Sequence, residues 1–208
     1  MKKYILIIFT GMFLSCASTN PKLSAVMKLK NGTSIEGLMT DPSHYVGSKT
    51  GKLSIKTANG KVKYKNDEIE KVTIMGQDKI YVPYFKKKFL SLEKNGKIGY
   101  LWLTPVKIPQ GKASLYSGEK EQTNQHGRYI GTTTFYYVWK NGEEASNYFT
   151  STELGLIVIN EGNVFRSMIE NVFSDCPELV KKAQNERYKP KNKSAIDIVN
   201  EYNSVCGK

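Results

Sequence analysis

The residue types best suited to acid–base or metal chemistry are few and scattered in this chain. His44 and His126 are the only histidines, and each lies in a polar, turn-rich stretch far from the other. Neither belongs to an H-E-x-x-H helix, the cysteines form no C-x-x-C, and no cluster of Asp offers an oxygen cage. The sequence therefore implies no metal and no cofactor. No G-x-S-x-G elbow presents a serine nucleophile, and the glycines punctuate short apolar runs rather than forming a phosphate loop. His126, beside Gly127 and Arg128, reads as a solvated loop residue. Asp67-Glu68 and Glu143-Glu144 are paired in sequence, but adjacent strand residues point to opposite faces, which argues against a shared acid–base site. No catalytic residue is assigned. The expected class is a non-enzymatic binding or scaffolding module, with a hydrolase of unfamiliar type as a rival.

What chemistry remains belongs to cysteine and lysine. The chain opens MKKYILIIFTGMFLSC, with Lys2 and Lys3 ahead of an apolar stretch from Tyr4 to Leu14. That stretch falls short of the roughly 20 apolar residues that a bilayer-spanning helix needs, and its charge pattern is that of a secretory signal. Phe13-Leu14-Ser15-Cys16 resembles the lipobox of bacterial lipoproteins, although Phe13 stands where that pattern usually has Leu. The resemblance implies that Cys16 becomes an acylated N-terminus and that the chain is exported. It also implies sorting by the next residue, and Ala17 rather than Asp favours an outer-membrane anchor facing the periplasm. The alternative is an ordinary signal peptide cleaved after Ala17 or Ser18. Ala17 to Lys22 would tether the folded part within about 20 Å of the membrane, at about 3.4 Å per residue.

If Cys16 carries lipid, Cys176 and Cys206 remain as an even pair in an oxidising compartment, and a disulfide is expected. Buried free thiols or a redox pair are the alternatives. The chain carries 31 Lys and Arg against 19 Asp and Glu, a formal charge of +12. Only Arg128, Arg166 and Arg187 are Arg, so the charge is almost entirely lysine. Arg is the residue whose planar fork reads phosphates and bases, and export separates the protein from its cell's nucleic acid. No nucleic-acid partner is expected. Anionic lipid or polysaccharide is, through a lysine-rich surface, and the run Lys86, Lys87 and Lys88 is the local candidate. An envelope protein is the other partner considered.

These residues must be positioned by elements that the patterning makes legible. Val26 to Lys30, Asn31-Gly32 and Thr33 to Leu38 read as a hairpin with a type I′ turn, and Leu53 to Thr57, Asn59-Gly60 and Val62 to Tyr64 as a second. Asp67 to Ile74 closes the unit with a fifth strand. The run "VMKLKNGTSIEGLM…LSIKTANGKVKY…DEIEKVTI" resembles SH3-like and Sm-like small barrels, with Gly37 at the bend. Strands continue at Lys79 to Val82, ended by Pro83, and at Phe89 to Leu92, Ile98 to Leu103 and Ala113 to Tyr116. Gly118 to Gly127 reads as a flexible loop. Thr132 to Trp139 and Tyr148-Phe149 form an aromatic strand pair, in which Phe135, Tyr137 and Trp139 share one face as core packing.

From Asn163 the period becomes 3.6, with Val164, Phe165, Met168, Ile169, Val172 and Phe173 on one stripe and Asn163 as N-cap. Asp175 is expected to cap a second helix, with Pro177 in its first turn, and Ser194 a third. This tail resembles the C-terminal segment of exported bacterial proteins with no assigned activity, which implies architecture and no chemistry. The expected fold is α+β: mainly antiparallel β, small-barrel or sandwich-like, with a C-terminal helical segment. The divisions are a signal peptide over 1–15, a lipidated tether over 16–23, a small β unit over 24–76, an antiparallel β unit over 77–160 and helices over 161–208.

Overall fold

A computed structural model describes residues 22–42, 46–47, 51–85, 98–152 and 161–207. The strands are β1 (Leu23–Leu29), β2 (Ser34–Met39), β3 (Val46–Gly47), β4 (Lys52–Thr57), β5 (Gly60–Lys65), β6 (Ile69–Ile74), β7 (Gln77–Phe85), β8 (Ile98–Pro105), β9 (Ala113–Thr123), β10 (Tyr129–Lys140) and β11 (Asn147–Ser151). Three helices follow, α1 (Glu161–Val172), α2 (Pro177–Asn185) and α3 (Ala195–Val205). The fold is α+β, mainly antiparallel, with its helices at the C-terminal end. The sheet runs in the order β11-β10-β9-β8-β7-β6-β1-β2-β4-β5, and β3 adds to β8. It is open, with β5 and β11 at its ends.

Alternation explains the N-terminal strands. Ala25, Met27 and Leu29 of β1, Leu53 and Ile55 of β4, and Ile69, Val72 and Ile74 of β6 face one core, where Trp102 of β8 joins them. In β1 and β4 the intervening residues face outward, as period two requires, while the three-residue step from Ile69 to Val72 in β6 falls where the β1–β6 register shifts. Asn31-Gly32 and Asn59-Gly60 lie at hairpin ends, but not in type I′ geometry. Only the glycines have positive φ, 89° at Gly32 and 116° at Gly60. Gly32 N–H donates to Leu29 O at 2.9 Å, the arrangement of a type I turn followed by a left-handed glycine. Gly37 is required by close approach: a Cβ there would stand 2.4 Å from the Lys56 carbonyl oxygen.

The type I′ turn occurs elsewhere, at Met75-Gly76, where φ is 50° and 77° and Ile74 pairs with Gln77. A non-glycine residue in that region costs roughly 1 kcal/mol or more. Pro83 does not end its strand, because β7 runs through it and pairs it with Tyr100. Its carbonyl accepts from the N–H and the hydroxyl of Ser146, while the N–H that the Ser146 carbonyl takes comes from Phe85 at 3.1 Å, so no donor is needed at Pro83. The polar stretch read as a loop is mostly strand. Gly118 to Gln122 pair with Phe135 to Gly131 in an arm that β11 flanks only at its Phe135 end, which leaves 124–128 as the turn. Its residues are mostly polar and the one fully buried side chain is the polar Thr133, so the arm carries no apolar period for the sequence to show.

The second core lies between β9, β10, β11 and the helices. Ala113, Leu115, Val138 and Phe149 meet Phe165, Ile169, Phe173, Leu179, Ile198, Val199 and Tyr202. Tyr136 packs on this side, while Phe135, Tyr137 and Trp139 lie on the other face with Tyr84, Tyr116 and Tyr148. Ser194 caps α3 in a capping box with Asp197, as expected. Two caps differ. Asn163 lies inside α1, which begins at Glu161, and its side chain accepts from Arg166. Residue Cys176, not Asp175, is the N-cap of α2, without a side-chain bond.

Candidate functional site

Asp175 has a different duty. Its carboxylate accepts from Lys140 Nζ at 2.8 Å and Tyr202 Oη at 2.6 Å, and pairs with Lys112 at 3.3 Å. Partial burial works against the carboxylate, but these donors outweigh it and hold its pKa well below the ordinary range. Burial and the same carboxylate push the Tyr202 hydroxyl up. Lys140, nearly buried, also pairs with Glu143 at 3.3 Å. Cys176 and Cys206 are bridged, with Cα atoms 5.9 Å apart, directly beside Asp175 and one turn beyond Tyr202. Bridge and charge cluster together fasten the start of α2 and the end of α3 to β10. A parallel pin holds the helices to each other, where Glu201 takes Lys182, Lys193 and the Tyr188 hydroxyl. Every group in both clusters has a partner, which is the economy of a structural fastening rather than of a reactive site.

The other sequence candidates are placed as follows. Cys16, His44, Lys86, Lys87 and Lys88 lie outside the described residues. His126 is exposed in the turn of the β9–β10 arm, next to Gln125. Neither acidic pair lies in a strand: Asp67-Glu68 belong to a 3₁₀ turn before β6, and Glu143-Glu144 to the turn before β11. Each pair is divided by its bonds instead, since Glu68 accepts from Lys65 N–H and Glu143 from Asn147 Nδ2. Among the described residues, no three His, Cys, Asp or Glu gather as metal ligands, and no helix is long and apolar enough to cross a membrane.

A cationic face emerges from strand register. Lys52, Ser54 and Lys56 alternate with buried Leu53 and Ile55, so they point outward from β4. Opposite them on β5 stand Lys65, Lys63 and Lys61. Directly paired residues share a face, so five exposed lysines occupy one side of a two-stranded hairpin at the sheet's open end. Two of the cross-strand pairs, Lys52–Lys65 and Lys56–Lys61, set like charges opposite each other, which destabilises the hairpin on its own. None of the five has a carboxylate partner among the described residues. The adjoining strands differ. Outward Lys28 on β1 pairs with Glu70 at 2.9 Å, and Lys71 on β6 with Asp78 at 2.6 Å.

Sequence reading placed this hairpin but passed over its charge, although the period-two spacing of Lys61, Lys63 and Lys65 was the available signal. A concave site also exists. A groove of about 310 Å³ between β11 and α3 is lined by Tyr136, Thr150, Phe165, Lys191, Lys193 and Ala195. Among the described residues, the buried Thr150 hydroxyl there has no hydrogen-bond partner. No family model, curated protein or solved structure matches the chain.

Proposed function

We propose that this chain is an exported bacterial lipoprotein, anchored through Cys16 at the outer membrane and facing the periplasm, whose folded part is a binding module for anionic lipid headgroups. One observation carries the binding half: five lysines on one face of β4–β5, two pairs of them directly opposed, with no carboxylate paired to any of the five among the described residues. Opposed like charges are tolerated when an anionic partner supplies the missing counter-charge. Each lysine near an anionic membrane contributes about 1 kcal/mol, so such a face adds adhesion and orientation to an acyl anchor. The anchoring half rests on the resemblance of Phe13 to Cys16 to a lipobox.

Two measurements test the two halves. Radiolabelled fatty acid should enter the wild-type chain in cells and not Cys16→Ala; label in neither would remove the anchor. For the face, a chain beginning at Ala17, which keeps every described residue, is titrated with vesicles mixed from two parts phosphatidylcholine and one part phosphatidylglycerol. Binding should weaken about fivefold for each of Lys56, Lys61 and Lys63 changed to Gln, from about 1 kcal/mol apiece. Equal binding to pure phosphatidylcholine, or an unaffected triple variant, would refute the headgroup reading. Competition by an anionic polysaccharide with no vesicle binding would transfer the face to that ligand.

A further inference from the structure

The same register that builds the lysine face also lines it up with the point where the chain enters the fold. Ser24, the second residue of β1, stands opposite Leu38, Leu38 opposite Lys56, and Lys56 opposite Lys61. All four are exposed. On the other side of β1, Ala25 stands opposite Ile74, so the turn that follows Ile74 borders the same row. That turn is Met75-Gly76. A single row across the sheet therefore holds Met75, the chain entry, Leu38, Lys56 and Lys61, with strands about 4.8 Å apart.

Met75 is unusual twice over. The residue is 80% exposed, the most exposed large apolar residue described, and its backbone holds a positive φ of 50°. Type I′ turns favour Asn, Asp or Gly at that position because those residues enter the left-handed region cheaply. A methionine there carries backbone strain and exposes apolar surface in water, and nothing in the fold's packing gains from either. Strain held at an exposed tip points to a use outside the fold. Leu38, 45% exposed in the same row, repeats the pattern. Apolar groups flanked by lysines match the boundary between acyl chains and anionic headgroups, where lysine stems lie along apolar surface and their ammonium groups reach the phosphates.

We propose that Met75 is the bilayer-inserting tip of this protein, and that the row from Met75 to Lys61 is the edge that lies against the lipid. The inference rests on the lipid-anchor reading, which brings this edge to the membrane: the seven residues from Ala17 to Leu23 connect Ser24 to the acylated Cys16. A free second copy of the chain would explain an exposed methionine but not its place beside the tether and the unneutralised lysines.

The test uses the acylated chain purified from membranes and reconstituted into vesicles of the same two-to-one mixture of phosphatidylcholine and phosphatidylglycerol. With Cys16 acylated and Cys176 bridged to Cys206, a Met75→Cys variant offers one free thiol for an environment-sensitive nitrobenzoxadiazole label. Flotation first establishes that the labelled protein is on the vesicles. The expected result is a blue-shifted emission with at least a twofold gain in intensity, quenched by nitroxide on the lipid acyl chains. A label at Asn124→Cys, in the turn of the β9–β10 arm, should show neither. Unquenched, water-like emission from position 75 on floated vesicles overturns the inserting tip while leaving the anchor intact. Failure to float removes the anchor, and the tip with it. Quenching at position 124 in place of 75 overturns the orientation.

Discussion

Reducing the Cys176–Cys206 bridge has a cost that follows from chain connectivity alone. The two cysteines are 30 residues apart, and the loop they close contains all of α2 and α3. In the chain-entropy treatment, a cross-link over 30 residues removes about 12 cal/mol/K from the unfolded ensemble, which is about 3.6 kcal/mol at 25 °C. Cys176 is fully buried in the helical core, and a reduced thiol fits almost the same space, so cavity formation adds little. The loss should therefore fall on the unfolded state. Urea unfolding followed by far-ultraviolet circular dichroism, on oxidised chain and on chain held reduced by a phosphine, measures it directly. The expected difference is about 3–4 kcal/mol, equivalent to about 7–14 °C in Tm for a chain of this size, with a steeper denaturant dependence in the reduced form because its unfolded state is more open. Oxidised and reduced transitions separated by less than about 1 kcal/mol would refute the reasoning. They would show that the unfolded chain keeps the two helices together without the bond.

Two further substitutions probe contacts that the register and the charge cluster define. Gly37→Ala places a Cβ 2.4 Å from a backbone oxygen of β4; chemical denaturation should register a loss of about 2 kcal/mol, and an unchanged midpoint would mean that β4 does not pack there. Asp175→Asn tests the fastening of helices to sheet through pH. The folded-state pKa of Asp175 is depressed, so its stabilisation is present above the unfolded value of about 3.9 and is lost as pH falls toward the folded one. The stability gap between wild type and variant should be largest near pH 7 and should close below about pH 4; a gap constant from pH 7 to pH 2 would contradict the assignment.

Much of the local structure was legible because its signals are local. A capping box needs only Ser194 and Asp197 three residues apart, and the α1 stripe needs only its own period. Asn31-Gly32 and Asn59-Gly60 marked their two hairpins correctly, yet their backbone geometry differed, because a left-handed glycine after a type I turn and a type I′ turn use the same dipeptide. Asp175 looked like a cap because it precedes Pro177, but Lys140, 35 residues earlier, competed for it and won. Pro83 looked like a strand end because a missing N–H matters only if a neighbouring strand asks for it, and Ser146, 63 residues away, does not.

By itself the sequence determined the N-terminal hairpins, the three C-terminal helices, the inward and outward sets of the alternating strands, and the even thiol pair left beside Cys16. Tertiary structure alone decided which outward residues would become neighbours. Periodicity is a property of one strand, whereas a surface is assembled by register between strands that touch in space and are far apart along the chain. Lys52 and Lys65, or Ser24 and Lys61, become neighbours or share a row only once β1, β2, β4 and β5 have paired, and from that pairing come the unneutralised charge and the strained methionine at its border.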